Sequence, residues 1–305
     1  MAYIARLIDR VRRETLNQDS SFGFYGLSDY HFIDKLNDAQ DRLQSVLVPI
    51  APEMFLHTQV ISLIANTGSY ALDGQVFLGN FGVYVEFSND GTTQNYRPIP
   101  AISLLEFDFD SDDFVRGYCI VDGAVMLSPT PSSAIGKIRV RYVKELYDLN
   151  KRIGKVASNN ATSITLNIAP TPDYDTVQNE TGIFIADYLS VVTDTGVVQN
   201  YSISTTAYDT GTRVFTAAVG VGVALTVGSW VVAGQYASTH TEGARNWERY
   251  LISYACRAIL SREEGNINFA DEDPVLQAIE SDIMEAAMCL KVQHTNPSLP
   301  NRYYR

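Results

Sequence analysis

Residues 118–149, YCIVDGAVMLSPTPSSAIGKIRVRYVKELYDL, leave little choice but short antiparallel strands. Apolar and β-branched runs cover Tyr118–Val121, Ala124–Ser128 and Lys137–Val143, with turn chemistry between them. Asp122-Gly123 predicts a tight hairpin, because such a turn needs positive φ. Pro129 and Pro131 have no N–H to give a ladder, so they mark a strand end. Helical periodicity is confined to the two ends of the chain, far on either side of this stretch. The predicted fold class is therefore α+β, with N- and C-terminal helices forming a helical bundle and a β-rich middle.

A chain of 305 residues can bury a large core, as one big domain or two smaller ones. Its 46% hydrophobic and 19% charged residues are ordinary for a globular protein. No window approaches the ~18 unbroken apolar residues of a membrane span. The opening MAYIARLIDRVRR carries Asp9 inside its apolar pattern and lacks a small-residue cleavage site, so it does not read as a secretory signal. Cys119, Cys256 and Cys289 each sit among apolar neighbours, which suits buried thiols rather than a disulfide framework. His31, His57, His240 and His294 are scattered, none with a second His or a Cys at ligand spacing. A net charge of −12 argues against a surface that wraps nucleic acid, while leaving room for a local basic patch.

Residues 3–16 place Ile4, Leu7, Ile8 and Val11 on one helical face, with Arg6, Arg10 and Arg13 on the other side. Those arginines suit either an acidic partner or, the favoured reading, a solvated face paired with Asp9 and Glu14. Ser28 can cap the next helix, whose seam is Ile33, Leu36, Gln40, Leu43 and Leu47 and whose stops are Pro49 and Pro52. Asp34, Asp38 and Asp41 fall nearly on one of its faces. Lys35 and Arg42 interleave with them, which favours a solvated face over a metal site or an acid–base pair.

From Met54 the period changes to two. Strands are predicted over 55–64, 69–72, 83–88 and 94–99, the last two flanking the turn Asn89-Asp90-Gly91. Residues 102–109 lead, as a helical turn or strand, into the acidic run Asp108, Asp110, Asp112 and Asp113. That run lacks the glycine and closing glutamate of an EF-hand loop, so no metal is assigned to it.

Composition shifts after Leu149. Residues 152–236 are rich in Val, Thr, Ile, Ser and Gly, with basic residues only at 152, 155 and 213. Turn signals recur at intervals of about 8–12 residues, and strands including 182–186 and 197–203 lie between them. The pattern predicts an inserted small antiparallel β-barrel or sandwich. Its ends, around Gly154-Lys155-Val156 and Val232-Ala233-Gly234, are expected to pair, as suits a domain set into a host fold. Val219, Gly220, Val221, Gly222 and Val223 are candidates for an inter-subunit or partner loop; the alternative for them is the barrel interior.

Helix returns after Thr241, with Trp247, Leu251, Tyr254, Ala255, Ala258 and Ile259 as its buried stripe and Gly265 as its stop. A last helix opens near Pro274. Its expected seam is Leu276, Ile279, Ile283, Ala286 and Leu290, and Met284 and Met288 are expected to fill core gaps. The tail HTNPSLPNRYYR has no acid and no means of building a core. Pro297, Pro300, Arg302, Tyr303, Tyr304 and Arg305 are the candidate docking residues of a segment that orders on a partner, against the plainer reading of a frayed end.

No GxSxG, GxGxxG nucleotide turn, P-loop or HExxH pattern is present. The chain is expected not to be an enzyme and to need no cofactor and no metal.

The order of these pieces resembles the head-to-tail adaptor (connector) proteins of tailed bacteriophages. The resemblance rests on FIDKLNDAQDRLQSVL at 32–47, NTGSYALDG at 66–74, VEFSNDGTTQNYRPIPAIS at 85–103, the stretch 117–149 and ERYLISYACRAILSREEGN at 248–266. The hairpin, L-x-P-x-P and RVRYVKEL order is its most specific part, and it covers the chain outside 152–236. It implies a structural virion protein of the neck, made in the host cytoplasm, that docks as a homo-oligomeric ring beneath the portal protein, commonly as a dodecamer. The helices would line a channel through which DNA passes without sequence-specific binding. The C-terminal tail would grip the portal, a tail nozzle or next tail ring would follow, and the inserted domain would hold tail fibres or brace its neighbours. On this organisation residues 1–151 with 237–290 form a discontinuous helical-bundle core with its hairpin sheet, 152–236 the insert, and 291–305 an extended tail. The rival from another class is a fibre protein or a carbohydrate- or receptor-binding module, with Trp230 and the tyrosines of the barrel stacking on sugars.

Overall fold

Among the described residues four helices lie toward the chain ends and antiparallel strands fill the middle, so the architecture is mixed α+β. The computed structural model describes residues 3–18, 23, 27–77, 82–89, 95–108, 110–112, 114–134, 136–167, 188–209, 211–218, 221, 225–241, 247–264 and 273–295. The chain divides into two compact units, one of Val46–Glu145 and one of Met1–Ser45 with Leu146–Arg305. This division groups the inserted strands with the helices, whereas the sequence reading grouped the helices with the hairpin sheet.

The unit Val46–Glu145 contains β1 (Leu56–Ser62), β2 (Ser69–Ala71), β3 (Tyr84–Ser88), β4 (Arg97–Pro98), β5 (Ser111–Asp112), β6 (Gly117–Val121), β7 (Ala124–Ser128), β8 (Thr130–Pro131) and β9 (Lys137–Val143). A four-stranded sheet runs β1-β9-β3-β4, and a three-stranded one β2-β7-β6. The stretch 118–149 therefore serves both sheets: β6 and β7 make the expected hairpin, and β9 leaves it to lie between β1 and β3. Inward residues Val85, Phe87, Ile138, Val140 and Tyr142 share one core cluster with Tyr118, Val125 and Leu127 of the hairpin. Of residues 102–108, Leu104–Glu106 form a single turn of 3-10 helix, closed by a Ser103–Glu106 capping box.

The hairpin turn has Asp122 at φ 49° and Gly123 at φ 73°, as its chemistry requires. A methyl on Gly123 would meet nothing within 4 Å, so Gly123→Ala isolates backbone strain. It is expected to destabilise by about 1 kcal/mol, read as a lower urea midpoint at unchanged slope.

In the other unit, α1 (Ile4–Gln18) buries Ile4, Leu7, Ile8 and Val11 as its spacing predicts. Helix α2 (Asp29–Leu47) buries the whole predicted seam together with Phe32, Ala39 and Gln44. His31, three residues after Ser28, accepts the Ser28 N–H through Nδ1 at 3.1 Å, a reciprocal contact of the capping-box kind. Strand β10 (Asp148–Leu149) leads into β11 (Arg152–Asn159), β12 (Ser163–Leu166), β13 (Tyr188–Val192), β14 (Val198–Asp209), β15 (Val214–Ala217) and β16 (Trp230–Ala233), followed by β17 (Ala237–Ser238).

Strands β11 to β16 close into a barrel in the order β11-β12-β15-β14-β13-β16, which leaves no open sheet edge. Its first and last strands pair, Gly154 with Val231 and Lys155 with Trp230. Just outside it β10 and β17 pair in parallel, so the chain enters and leaves the barrel at one place. Val156, Ile164, Leu189, Val191, Phe215 and Val231 fill the interior. Strand β14 extends to Asp209, beyond the predicted 197–203, and the predicted strand at 182–186 lies outside the described residues.

Helix α3 (Trp247–Glu264) packs on both α1 and α4 (Pro274–Thr295). Two helical neighbours widen its buried face, so Tyr250, Ile252 and Cys256 join the predicted stripe, while Tyr254 is only half-buried. Asp273 caps α4, its Oδ1 accepting from the N–H of Val275 and Leu276 at 2.8 and 3.0 Å, with Pro274 in the first helical position. Three expectations for α4 need correction. Its buried face is Leu276, Ile279, Ile283 and Ala287, and Ala286 is exposed. A straight α-helix repeats every 3.6 residues, so the inward position drifts one residue past a heptad seam. Met288 is 48% exposed and fills no core gap. The helix also runs to Thr295, into the segment assigned from sequence to the extended tail.

Candidate functional site

Three polar junctions, buried or half-buried, hold the helical and barrel parts of one unit together. In the first, α2 turns Asn37, Gln40 and Gln44 toward the extended backbone just before the barrel. Gln40 donates to the Tyr147 carbonyl at 2.9 Å, and the Gln44 carbonyl accepts from the Leu146 N–H at 3.2 Å. Asn37 closes the series on Leu149, accepting its N–H at 2.8 Å and donating to its carbonyl at 3.2 Å. A chain segment without a complete strand partner thus has its polar groups satisfied by helix side chains.

The second junction is a carboxylate hub. Glu280 on α4 accepts the Tyr250 O–H of α3 at 2.6 Å and the Arg42 Nε–H of α2 at 3.0 Å. Burial first, and then the Glu280 hydrogen bond and charge, push the Tyr250 phenol far up, so it remains a donor. Arg10 and Glu248 tie α1 to α3 at 3.2 Å.

The third is a guanidinium sandwich. Arg152 lies 4.0 Å from the ring centre of Tyr3 and 3.9 Å from that of Trp230. Tyr3 also faces His240, whose imidazole is held below its usual value by burial and then by the Arg152 charge. Lys155 sits 4.2 Å over Trp230, and the Trp230 indole N–H donates to Asp194. The aromatic proposed from sequence for sugar stacking is thus already engaged by two cations and a carboxylate.

Within Val46–Glu145, the β1-β9-β3-β4 sheet has a charged outer face. Pairing places Thr58, Arg141 and Tyr84 in one row, then Val60, Arg139 and Glu86, then Ser62, Lys137 and Ser88. Glu86 receives Arg139, and Arg141 at 3.4 Å, and Arg139 lies 4.4 Å from the Tyr96 ring centre. The Arg139 hydrogen bond, opposed by burial and aided by Arg141, holds the Glu86 carboxyl below the usual glutamate range. A depressed folded pKa stabilises the fold above the unfolded value, and that stabilisation is lost as pH falls through the folded value. The urea midpoint is therefore expected to drop as pH is lowered below about 4.3, and Glu86→Gln is expected to flatten that part of the profile. An unchanged slope in the variant would mean the contact is not held in solution.

The predicted site residues distribute as follows. Pro297, Pro300, Arg302, Tyr303, Tyr304 and Arg305 lie outside the described residues, as do Val219, Gly220, Gly222 and Val223. Val221 is described, and it is buried in the barrel interior, the alternative stated for this loop. In the acidic run, Asp108 accepts the Asp110 N–H at 3.0 Å and Asp112 pairs with Arg116 at 3.1 Å, both local turn contacts. Cys119 and Cys256 are buried free thiols. Among the described residues no group of three or more His, Cys, Asp or Glu is placed to hold a metal ion, and no helix is long and apolar enough to cross a membrane. A cleft of about 520 Å³ beside β4 is lined by Phe87, Ile99, Phe114 and Val115, with Arg97 and Arg116. No family model matches the chain, and no curated protein matches its sequence. The charged sheet face is not among the sequence expectations, although the alternation in KIRVRYV was its signal: every second residue from Lys137 to Arg141 is a cation.

Proposed function

We propose that the chain is a structural virion protein, a ring-forming adaptor that joins the portal to the tail of a tailed bacteriophage and surrounds the DNA path. The observation that carries this reading is the joining of the two chain ends: α1 packs on α3, α3 packs on α4, and the barrel is set into that helical frame between β10 and β17. The sequence resemblance likewise implies joined N- and C-terminal helices and an inserted barrel, although it groups the hairpin sheet with the helices, whereas the compact unit pairs the helices with the barrel. Polar hubs such as the buried Glu280 and the half-buried Arg152 suit a scaffold, because they fix helices and barrel in one arrangement instead of opening a reactive cavity. A net charge of −12 suits a lumen past which the duplex slides, since the DNA backbone is itself negative.

The test is mass photometry or negative-stain microscopy of the full chain mixed with portal. Ring-on-ring complexes are expected, and a chain that ignores portal would overturn the reading. Deleting residues 297–305 is expected to abolish portal binding while far-UV circular dichroism stays unchanged. Undiminished binding would assign the tail no docking role.

A further inference from the structure

The outer sheet face is unusual for so acidic a chain. Lys137, Arg139 and Arg141 project from the central strand against one carboxylate, Glu86. Apolar side chains flank them: Leu56 and Val60 are each 51% exposed and Tyr84 is 44% exposed. Cations beside open apolar side chains make a surface suited to a partner rather than to water alone.

The complementary surface is on α2. Asp34, Asp38 and Asp41 are exposed on one side of that helix, and the amide contacts to Leu146, Tyr147 and Leu149 bring Asp148 of β10 alongside. Arg42, which the sequence interleaves with these acids, turns inward to Glu280 instead. Lys35 pairs with Asp38 at 2.6 Å, and among the described residues Asp34 and Asp41 have no ion-pair partner. Partial desolvation of its carboxyl by the chain around it, and then the neighbouring Asp148 and Asp38, push Asp41 up from its usual value.

We propose that the outer face of the β1-β9-β3-β4 sheet docks on the carboxylate face of α2 of a second copy of the chain, so that copies join head to tail. Charge points to the occupant: copies of net charge −12 repel one another, and a contact that sets the basic patch of one against the acidic patch of the next offsets that repulsion and selects this register. The dimensions agree. Lys137 to Arg141 spans about 14 Å along a strand, and Asp34 to Asp41 spans about 10 Å along a helix. Because the two patches differ, each copy uses one and offers the other, and the contact propagates into a ring or filament. The inference deepens the adaptor reading by naming the faces through which a ring would close.

The test is sedimentation velocity on the full chain with two kinds of variant. Lys137→Glu with Arg141→Glu spoils the sheet face, and Val60→Glu does so without touching an ion pair. Asp34→Lys with Asp41→Lys spoils the helix face. Wild type is expected to self-associate, less so as salt rises. Each variant alone is expected to be monomeric with an unchanged circular dichroism spectrum. A mixture of one sheet variant and the helix variant is expected to give a one-to-one dimer and nothing larger, since only one good pair of faces remains. A wild type that stays monomeric at its highest soluble concentration, variants that assemble as wild type does, or folded variants that fail to complement in the mixture would each overturn the proposal. Portal binding is scored separately. Wild-type rings on portal with unaffected variants would leave the adaptor reading standing without these faces; self-association through these faces with no portal binding would do the reverse.

Discussion

Glu280→Ala is expected to destabilise the helical unit by about 3–5 kcal/mol, because it removes a buried carboxylate on which two other helices converge. Glu280 is 9% exposed, and it accepts from Tyr250, which is fully buried, and from Arg42. The loss is larger than a deleted hydrogen bond because the Arg42 guanidinium loses an ion pair and the Tyr250 hydroxyl loses its charged acceptor in a place water does not freely reach. A graded series separates these contributions. Tyr250→Phe removes one donor and leaves the ion pair, and is expected to cost about 1–2 kcal/mol. Glu280→Gln keeps an acceptor but loses the charge, and is expected to fall between the two. Urea unfolding followed by circular dichroism gives the order directly. A Glu280→Ala loss no greater than that of Tyr250→Phe would show that the hub contributes through packing alone.

Arg152→Ala is expected to cost about 2–4 kcal/mol, since a desolvated cation–π contact is worth about 2 kcal/mol and Arg152 makes two. Part of that gain is offset in the native protein, because the buried Arg152 Nε finds no hydrogen-bond partner. Arg152→Lys is expected to recover little, because an ammonium cannot lie flat between two rings as a guanidinium does. The effect should be local. The Ile4 N–H, bonded to the Thr239 carbonyl at 3.0 Å, and the amides of β16 are expected to exchange faster with solvent, while β1 and β9 keep their protection. A lysine variant as stable as wild type would reduce the sandwich to an ordinary surface contact.

These junctions mark where reading the chain alone stops. Asn37, Gln40 and Gln44 recur along one side of α2, yet Gln40 looked like an ordinary seam position until its backbone partners near Leu149 were in place. Arg42 read as one cation among surface carboxylates, and it proves to be the inward partner of a residue 238 positions away. The alternation in KIRVRYV announces a strand with cations on one face. Which face stays open depends on the partners of β9, and these are β1 and β3 rather than the neighbouring β7.

What the sequence determined by itself is whatever depends on neighbours within a few positions. The positive-φ turn at Asp122-Gly123, the spans of α1 and α2, and the dense turns and β-branched residues of 152–236 are local, and they are found much as expected. Only the tertiary structure decided what depends on distant partners. It set β15 and β14 between β12 and β13 in the barrel, widened the buried face of α3 by placing it between α1 and α4, and moved the inward residue of α4 from Ala286 to Ala287. The physical reason is common to all three: local preference chooses backbone angles, whereas burial and the pairing of buried polar groups are settled by surfaces brought together from far along the chain.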